Sequence, residues 1–374
     1  MNAPRTQIES AYMQWAKLHS AAPVNLATSA VAALPLAELP LKLEDLELNA
    51  RDGYGYRPLI EHLARYTGVA PECVVTAPGT SMANYLAMAA TFETGDDVLI
   101  ERPTYEPMMT TALYLGANLR RFDRRAEDGF RLDPGEVERQ ITPRTRLIVL
   151  ANLHNPTSAP AAEKDLRSVG EIARAAGARV LVDEVYLELL FARRPRAAFH
   201  LGPQFLTTSS LTKAYGLGGL RCGWVLAEPD LARRIWRLRD LHDVNSAHPA
   251  ERISTVVFDH LEKLAARGQA LLTTNRPLVD SFLDAHPEMA TLRPETGTVL
   301  TLRAPGGDSA AFCRHLRERY ETSVVPGNFF EMPDSFRLGL GGDTATLREG
   351  LKRLGKAAEE FSGKAQEGSP GGDN

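Results

Sequence analysis

From about residue 70 to 240, short apolar runs alternate with stretches of helical periodicity. CVVT (73–76), DVLIE (97–101), NLRRF (118–122), RLIVLAN (146–152), ARVLVDEVY (178–186), FLTTSS (205–210) and GWVLA (223–227) read as strands. Most of these are apolar on both faces rather than alternating, as buried parallel strands are. Between them, APGTSMANYLAMAATF opens a helix after a Gly-Thr-Ser turn. RLDPGEVERQI enters one through Asp133 and Pro134, and AEKDLRSVGEIARAAG ends one near Gly177. This βα alternation predicts an α/β fold with a mainly parallel central sheet flanked by helices.

The flanking regions have other patterns. IESAYMQWAKL places Ile8, Tyr12, Trp15 and Leu18 near helical spacing, which reads as core packing or a subunit contact. VNLATSAVAALPLAELP (24–40) reads as an entry loop and a short helix. Its small residues Ala27 to Ala30, Ser29 among them, leave room for a ligand. In residues 52–68, Leu59, Leu63 and Tyr66 share a helix face and Gly68 ends it; Tyr54 and Tyr56 stand in the preceding loop. Residues 230–242 and 249–286 read as long helices. Residues 290–357 form a smaller α/β unit, with strands VLTLRA, TSVVPG and SFRLGLG and the helix SAAFCRHLRERY. The expected organisation is an N-terminal segment 1–45 packing with the small domain, a large domain 46–275, a small C-terminal domain 276–360 and a disordered tail 361–374.

Composition narrows the function. A chain of 374 residues, 44% hydrophobic, exceeds what one core usually holds. A net charge of -4 argues against a nucleic-acid partner. Cys73, Cys222 and Cys313 are odd in number and far apart, so neither a disulfide framework nor a cysteine zinc site is expected. His242, His248 and His260 make no compact ligand pattern, and no metal is expected. Residues 1–20 read as neither signal peptide nor membrane span, and a cytoplasmic location is expected.

The richest stretch is TSSLTKAYGLGGLRCGW (208–224). Lys213 and Arg221, eight apart across a Gly-rich loop, can converge on one small anion. Lys213 among small and hydroxylic residues can be desolvated, and so act as an amine nucleophile. The competing reading is a surface loop with two ordinary cations. Asp183 ends an apolar strand, where a carboxylate needs a partner. A protonated pyridine nitrogen is one candidate, a helix cap or salt bridge the other. Tyr186 and Asn155 can each reach the phenolic oxygen of such a ring; packing and a turn are their plain alternatives. Gly79, Thr80 and Ser81 stand at a helix start, a natural phosphate site. Tyr105 can stack on a ring, or simply anchor its loop. Arg337, in an otherwise apolar strand, wants a carboxylate. Asn155 follows one strand, Asp183 ends another and Lys213 follows a third, and ligands bind beyond such strand ends in open α/β sheets.

This pattern resembles the class I/II aminotransferases, the fold-type I pyridoxal-phosphate enzymes, over about residues 24–357. SSLTKAYGLGGLRCGW is similar to their S-x-x-K motif with arginine eight residues on. HNPTS is similar to their N-P-x-G/S segment, and Asp183 and Tyr186 match their D-x-x-Y motif. The resemblance implies pyridoxal 5′-phosphate as cofactor, held by Lys213 as an internal aldimine. It implies phosphate ligands at Ser210, Arg221 and the Gly79-Thr80-Ser81 helix start, and ring contacts from Asp183, Asn155, Tyr186 and Tyr105. Arg337 would bind the substrate carboxylate, with Ser29 nearby. The family's loop near residues 26–33 often contains glycine; here it has none. A homodimer is implied, with Tyr54 or Tyr56 donated to the partner's phosphate. The activity implied is amino-group transfer between an L-amino acid and a 2-oxo acid. The alternative is a PLP-dependent lyase, racemase or cyclase, because all start from the same lysine-bound cofactor.

Overall fold

The computed structural model describes residues 8–49 and 53–367. In chain order the elements are α1 (Ala11–Leu18), β1 (Val24–Asn25), α2 (Arg57–Thr67), β2 (Val74–Pro78), α3 (Gly79–Ala89), β3 (Asp97–Arg102), α4 (Glu106–Tyr114), β4 (Asn118–Asp123), α5 (Pro134–Gln140), β5 (Thr145–Ala151), α6 (Glu163–Ala175), β6 (Arg179–Asp183), β7 (Phe205–Ser210) and β8 (Cys222–Leu226). There follow α7 (Pro229–Arg239), α8 (His248–Asp259), α9 (Leu261–Ala285), β9 (Val299–Arg303), α10 (Ser309–Tyr320), β10 (Thr322–Ser323), β11 (Val325–Pro326), β12 (Ser335–Gly339) and α11 (Thr344–Glu367).

The seven expected strands form one sheet in the order β2-β8-β7-β6-β5-β3-β4. Neighbours from β7 to β4 run parallel, and β8 runs antiparallel to both β7 and β2. The reversal has a simple cause. Only residues 211–221 separate β7 from β8, too few for the crossover a parallel neighbour requires. The middle of the sheet is apolar on both faces, with Val149, Leu181 and Leu206 fully buried on one side and Ile148, Val180 and Val182 on the other. β5, β6 and β7 are adjacent and end at Ala151, Asp183 and Ser210. The segments that follow them therefore meet at one sheet edge.

The smaller unit is a three-stranded antiparallel sheet, β11-β12-β9, beside a parallel pair, β1-β10. The run TSVVPG, expected as one strand, divides between the two. Thr322–Ser323 pairs with β1, and Val325–Pro326 pairs with β12. The expected boundary at 275/276 falls inside α9. Leu264 on this helix belongs to the core of the large sheet, while Val279, Phe282 and Leu283 belong to that of the small one. The stretch 249–286 is not one helix but two, separated at His260 with φ -119° and ψ 16°. The direction changes because α8 packs on α2 and β8, whereas α9 runs on to α11. The expected disorder from 361 is also corrected. α11 continues to Glu367, and Phe361 holds it by packing edge-on against Phe312 at 5.5 Å. Residues 368–374 lie outside the described part.

The N-terminal loop threads between the units. Gly339 N–H donates to Leu26 O at 2.8 Å, and Val31 N–H donates to Lys213 O at 2.9 Å. A Cβ on Gly339 would lie 1.8 Å from Thr28 O, one on Gly216 2.4 Å from Ala32 O, and one on Gly341 2.5 Å from Ala30 O. The glycines that permit close approach thus stand opposite the loop, which explains why residues 26–33 need none. Gly339→Ala should destabilise the protein by about 2–3 kcal/mol through backbone overlap. Denaturant unfolding should show this as a lower midpoint with an unchanged slope.

Glu184 is buried behind the sheet edge, where its Oε1 accepts from Ala198 N–H at 2.7 Å. Burial pushes its pKa up to about 8 from an ordinary 4.5. The neutral acid is the form the fold favours. Its contribution to stability is complete below pH 4.5 and is lost as pH rises through about 8. Glu184→Gln should flatten the decline of melting temperature across that window, as thermal melts at several pH values would show.

Candidate active site

The first element of the site is the turn from β2 into α3. Gly79 has φ +79°, and the Arg221 guanidinium lies over it: a Cβ at Gly79 would stand 2.2 Å from Arg221 Nη2. Arg221 itself is left-handed at φ 56° and donates to Pro78 O at 3.1 Å and Gly218 O at 3.2 Å. Thr80 Oγ1, on the first turn of α3, is buried with no hydrogen-bond partner. Unsatisfied buried hydroxyls are rare enough to ask for a ligand. The first N–H groups of α3, which have no partner within the helix, add to the same positive end.

These groups open into a cavity of about 540 Å³ lined by Thr80, Ser81, Tyr105, Asn155, Asp183, Tyr186, Ser210, Lys213, Arg221, Arg337 and Ser29. Eleven of the fourteen candidate cofactor- and substrate-site residues named from the sequence therefore share one space. Lys213 Nζ donates to Ser29 Oγ at 2.8 Å and lies 5.8 Å from the centre of the Tyr186 ring. Desolvation lowers its pKa, and the positive charge of Arg337 adds to that, so the neutral amine is more accessible than in water. Burial raises the pKa of Asp183, against two hydrogen bonds and the charge of Lys213. Asn84 Nδ2 donates to Asp183 Oδ2 at 2.8 Å, and Val185 N–H to Oδ1 at 3.0 Å. Burial likewise raises the pKa of Tyr186 and Tyr105, leaving both phenols protonated at neutral pH.

Arg337 is 1% exposed. Its Nη1 donates to Asn155 Oδ1 at 2.9 Å and its Nη2 to Tyr12 OH at 3.0 Å, while its Nε is buried without a partner. A buried guanidinium that lines a cavity and has no carboxylate partner of its own suits a carboxylate ligand.

Gly79 and Tyr54 do not line the cavity. Gly79 makes the room that Arg221 occupies. Tyr54 is 44% exposed, and its hydroxyl hydrogen-bonds Asp240 at 3.2 Å and Arg237 at 3.0 Å. The Tyr56 ring packs edge-on against His248 at 5.1 Å. Three further polar side chains are held by partners of their own. His154 is buried between Thr157 and Pro103 O, Arg102 pairs with Asp123, and Asp243 pairs with Arg239.

Two residues that sequence reading passed over belong to the site. Asn84 orients Asp183 and accepts from Thr208 Oγ1 at 2.5 Å. Its signal was present: a polar residue in an apolar helix, four after Thr80 and so on the same face. Tyr12 looked like ordinary packing, and only the tertiary fold brings it to Arg337.

These groups match the parts of pyridoxal phosphate. Thr80, Ser81, Ser210, Arg221 and the start of α3 supply hydroxyls, a guanidinium and backbone N–H groups suited to a phosphate. Asn84 lies five residues along α3 from Gly79, about 7.5 Å of axial rise, and marks where the carboxylate of Asp183 begins. An orphaned hydroxyl, a desolvated amine and a buried acid in one cavity fit the group.

A family model described as "Aminotransferase class I and II" matches residues 24–354. The chain is 30% identical over 302 residues to an arginine–pyruvate transaminase of Pseudomonas aeruginosa, covering 79% of this chain and 77% of that one. It is 28% identical over 284 residues to a capreomycidine synthase of Streptomyces vinaceus, covering 75% and 73%. A crystal structure of a PLP-dependent aminotransferase from Streptococcus suis superimposes with TM-score 0.88 at 26% identity, covering 96% of this chain and 99% of that one. The PLP-dependent cyclase OrfR superimposes with TM-score 0.85 at 25% identity, over 96% and 99%. The fold, the shared cavity and the length of these matches agree: the chain belongs to the class I and II aminotransferase family, the fold-type I pyridoxal-phosphate-dependent enzymes.

Proposed function

We propose that the protein is an aminotransferase that moves an amino group between an L-amino acid and a 2-oxo acid. The observation that carries this reading is the single cavity in which Lys213, Asp183 and the half-satisfied Arg337 meet. Bound pyridoxal phosphate supplies a carbonyl for the amino group and an electron sink for the bond broken at the substrate's α-carbon. In this reading Thr80, Ser81, Ser210 and Arg221 hold its phosphate. Asp183, oriented by Asn84, pairs with its ring nitrogen. Asn155 and Tyr186 hydrogen-bond its phenolic oxygen, and Tyr105 stacks on the ring. Arg337, which lines the cavity and has no carboxylate partner of its own, binds the substrate α-carboxylate. Lys213 Nζ would take the proton from the substrate's α-carbon and give it to the carbon that carried the cofactor's carbonyl, a task its lowered pKa suits. Ser29, hydrogen-bonded to Nζ, aims the amine.

A cyclase or lyase is the second reading, favoured by the likeness to a capreomycidine synthase and to the cyclase OrfR. One experiment separates the two. Purified holoenzyme is mixed with single amino acids without an acceptor, and cofactor absorbance and products are followed. Transamination converts the cofactor to its amine form with release of an equal amount of 2-oxo acid. Retention of the aldehyde cofactor during turnover would favour the second reading.

The wall that this chain contributes also bears on substrate choice. This reading engages Asp183, Lys213, Arg221 and Arg337 with the cofactor and the substrate's α-carboxylate, and among the described lining residues the charged side chain left over is the cation Lys17. Amino acids with neutral or anionic side chains should therefore react faster than arginine in the same panel.

A homodimer is part of the proposal. Leu36, Leu43, Leu46 and Leu48 leave large apolar surface exposed on one segment, and Tyr54 is exposed and does not line its own cavity. Sedimentation should give a dimer. Tyr54→Phe should then weaken cofactor affinity about 10-fold through loss of one phosphate hydrogen bond.

A further inference from the structure

Glu106 opens α4 directly after Tyr105, and its carboxylate faces the start of α1 rather than the cavity. It accepts three hydrogen bonds there: from Ser10 Oγ at 2.5 Å, Ala11 N–H at 2.9 Å and Tyr12 N–H at 2.9 Å. Ser10 Oγ in turn accepts from Met13 N–H at 3.1 Å. The first N–H groups of a helix have no partners within it, and a negative charge at that end is stabilising. At eight residues α1 is too short to persist alone. Its place depends on such ties.

The side chains on α1 show why that place matters. Tyr12 is its one buried residue, and its hydroxyl accepts from Arg337 Nη2. The Tyr12 ring meets Tyr105 edge-on at 5.5 Å and Phe330 at 5.6 Å. Met13 and Lys17 complete the cavity wall. A carboxylate on the large unit thus holds the helix whose phenol braces an arginine on the small one.

We propose that Glu106 is a positioning residue: by capping α1 it fixes the Tyr12 hydroxyl against Arg337, and so sets the angle at which that guanidinium meets a substrate carboxylate. This rests on the reading of Arg337 as the carboxylate site. Glu106→Gln keeps the size but turns an amide donor towards N–H groups, loosening the cap. Tyr12→Phe keeps the helix and removes only the phenol oxygen.

The test uses holoenzyme and propionate, a carboxylate without an amino group, in a calorimetric titration. Glu106→Gln and Tyr12→Phe should each weaken propionate about 10-fold, as expected for losing one hydrogen bond to a charged group. The double variant should be no weaker than either single one, because both act through one tie. Cofactor absorbance should match wild type, and the panel amino acids should show a raised KM with little change in kcat. Arg337→Ala should lose propionate binding. Wild-type propionate affinity in both Glu106→Gln and Tyr12→Phe, with binding lost in Arg337→Ala, would overturn the role of Glu106 and leave the carboxylate site intact. Wild-type affinity in Arg337→Ala would overturn the carboxylate site itself.

Discussion

Lys213→Ala should cost at least about 10³-fold in kcat/KM and remove the absorbance of the lysine-linked cofactor, because one amine serves as both nucleophile and proton carrier. The surroundings of that amine support so large an effect. Its pKa is lowered by desolvation and its Nζ is held by Ser29 at 2.8 Å. The other amine among the described lining residues, Lys17, is exposed on α1. Titration of the variant with pyridoxal phosphate, followed by single-turnover mixing with an amino acid, measures both losses separately. Wild-type turnover in the variant would remove Lys213 from the chemistry.

Asp183→Asn should lower kcat/KM by roughly 10²–10³-fold, the range seen when one fixed electrostatic partner of a reacting centre is lost. Asparagine nearly preserves the volume, so the fold should survive and the loss should be chemical. The acid is buried, and burial raises its pKa, while Asn84, Val185 N–H and Lys213 pull it back down. A cationic ring nitrogen would pull it down further, since opposite charge favours the ionised form. Wild-type activity should therefore fall as pH drops through the pKa of Asp183, and the acidic limb should be absent from the variant. Rate profiles of the half-reaction from pH 4 to 9, about the span a stable enzyme tolerates, would show this. An unchanged acidic limb in Asp183→Asn would assign that limb to another group.

Much of the site is legible in the sequence alone. Short motifs carried Lys213, Arg221, Asp183, Tyr186 and Asn155, because these residues stand at or close to the ends of strands already visible in the sequence. The sheet turned those separate motifs into neighbours by ending β5, β6 and β7 side by side. Asn84 was half readable, as a polar residue sharing a helix face with Thr80. Tyr12 and Glu106 were not. Their partners are 325 and 94 residues away in the chain, at Arg337 and at Tyr12 respectively. No local periodicity encodes such pairs. The break at His260 escaped for a related reason: both sides of it keep helical spacing, and only the packing targets of α8 and α9 differ.

Local pattern alone determined that this chain makes a mainly parallel sheet with a lysine, an acid and an asparagine after successive strands. Strand alternation, caps and glycine turns act over a few residues, so composition in a short window suffices for them. The tertiary structure decided which strand runs backwards, how TSVVPG divides between two sheets, and that a helix before the first strand closes the cavity. Those outcomes depend on long-range packing and on buried polar groups finding partners, as Arg337 finds Tyr12 and Asn155. The free energy of burying such groups is settled only when the whole chain has closed around them.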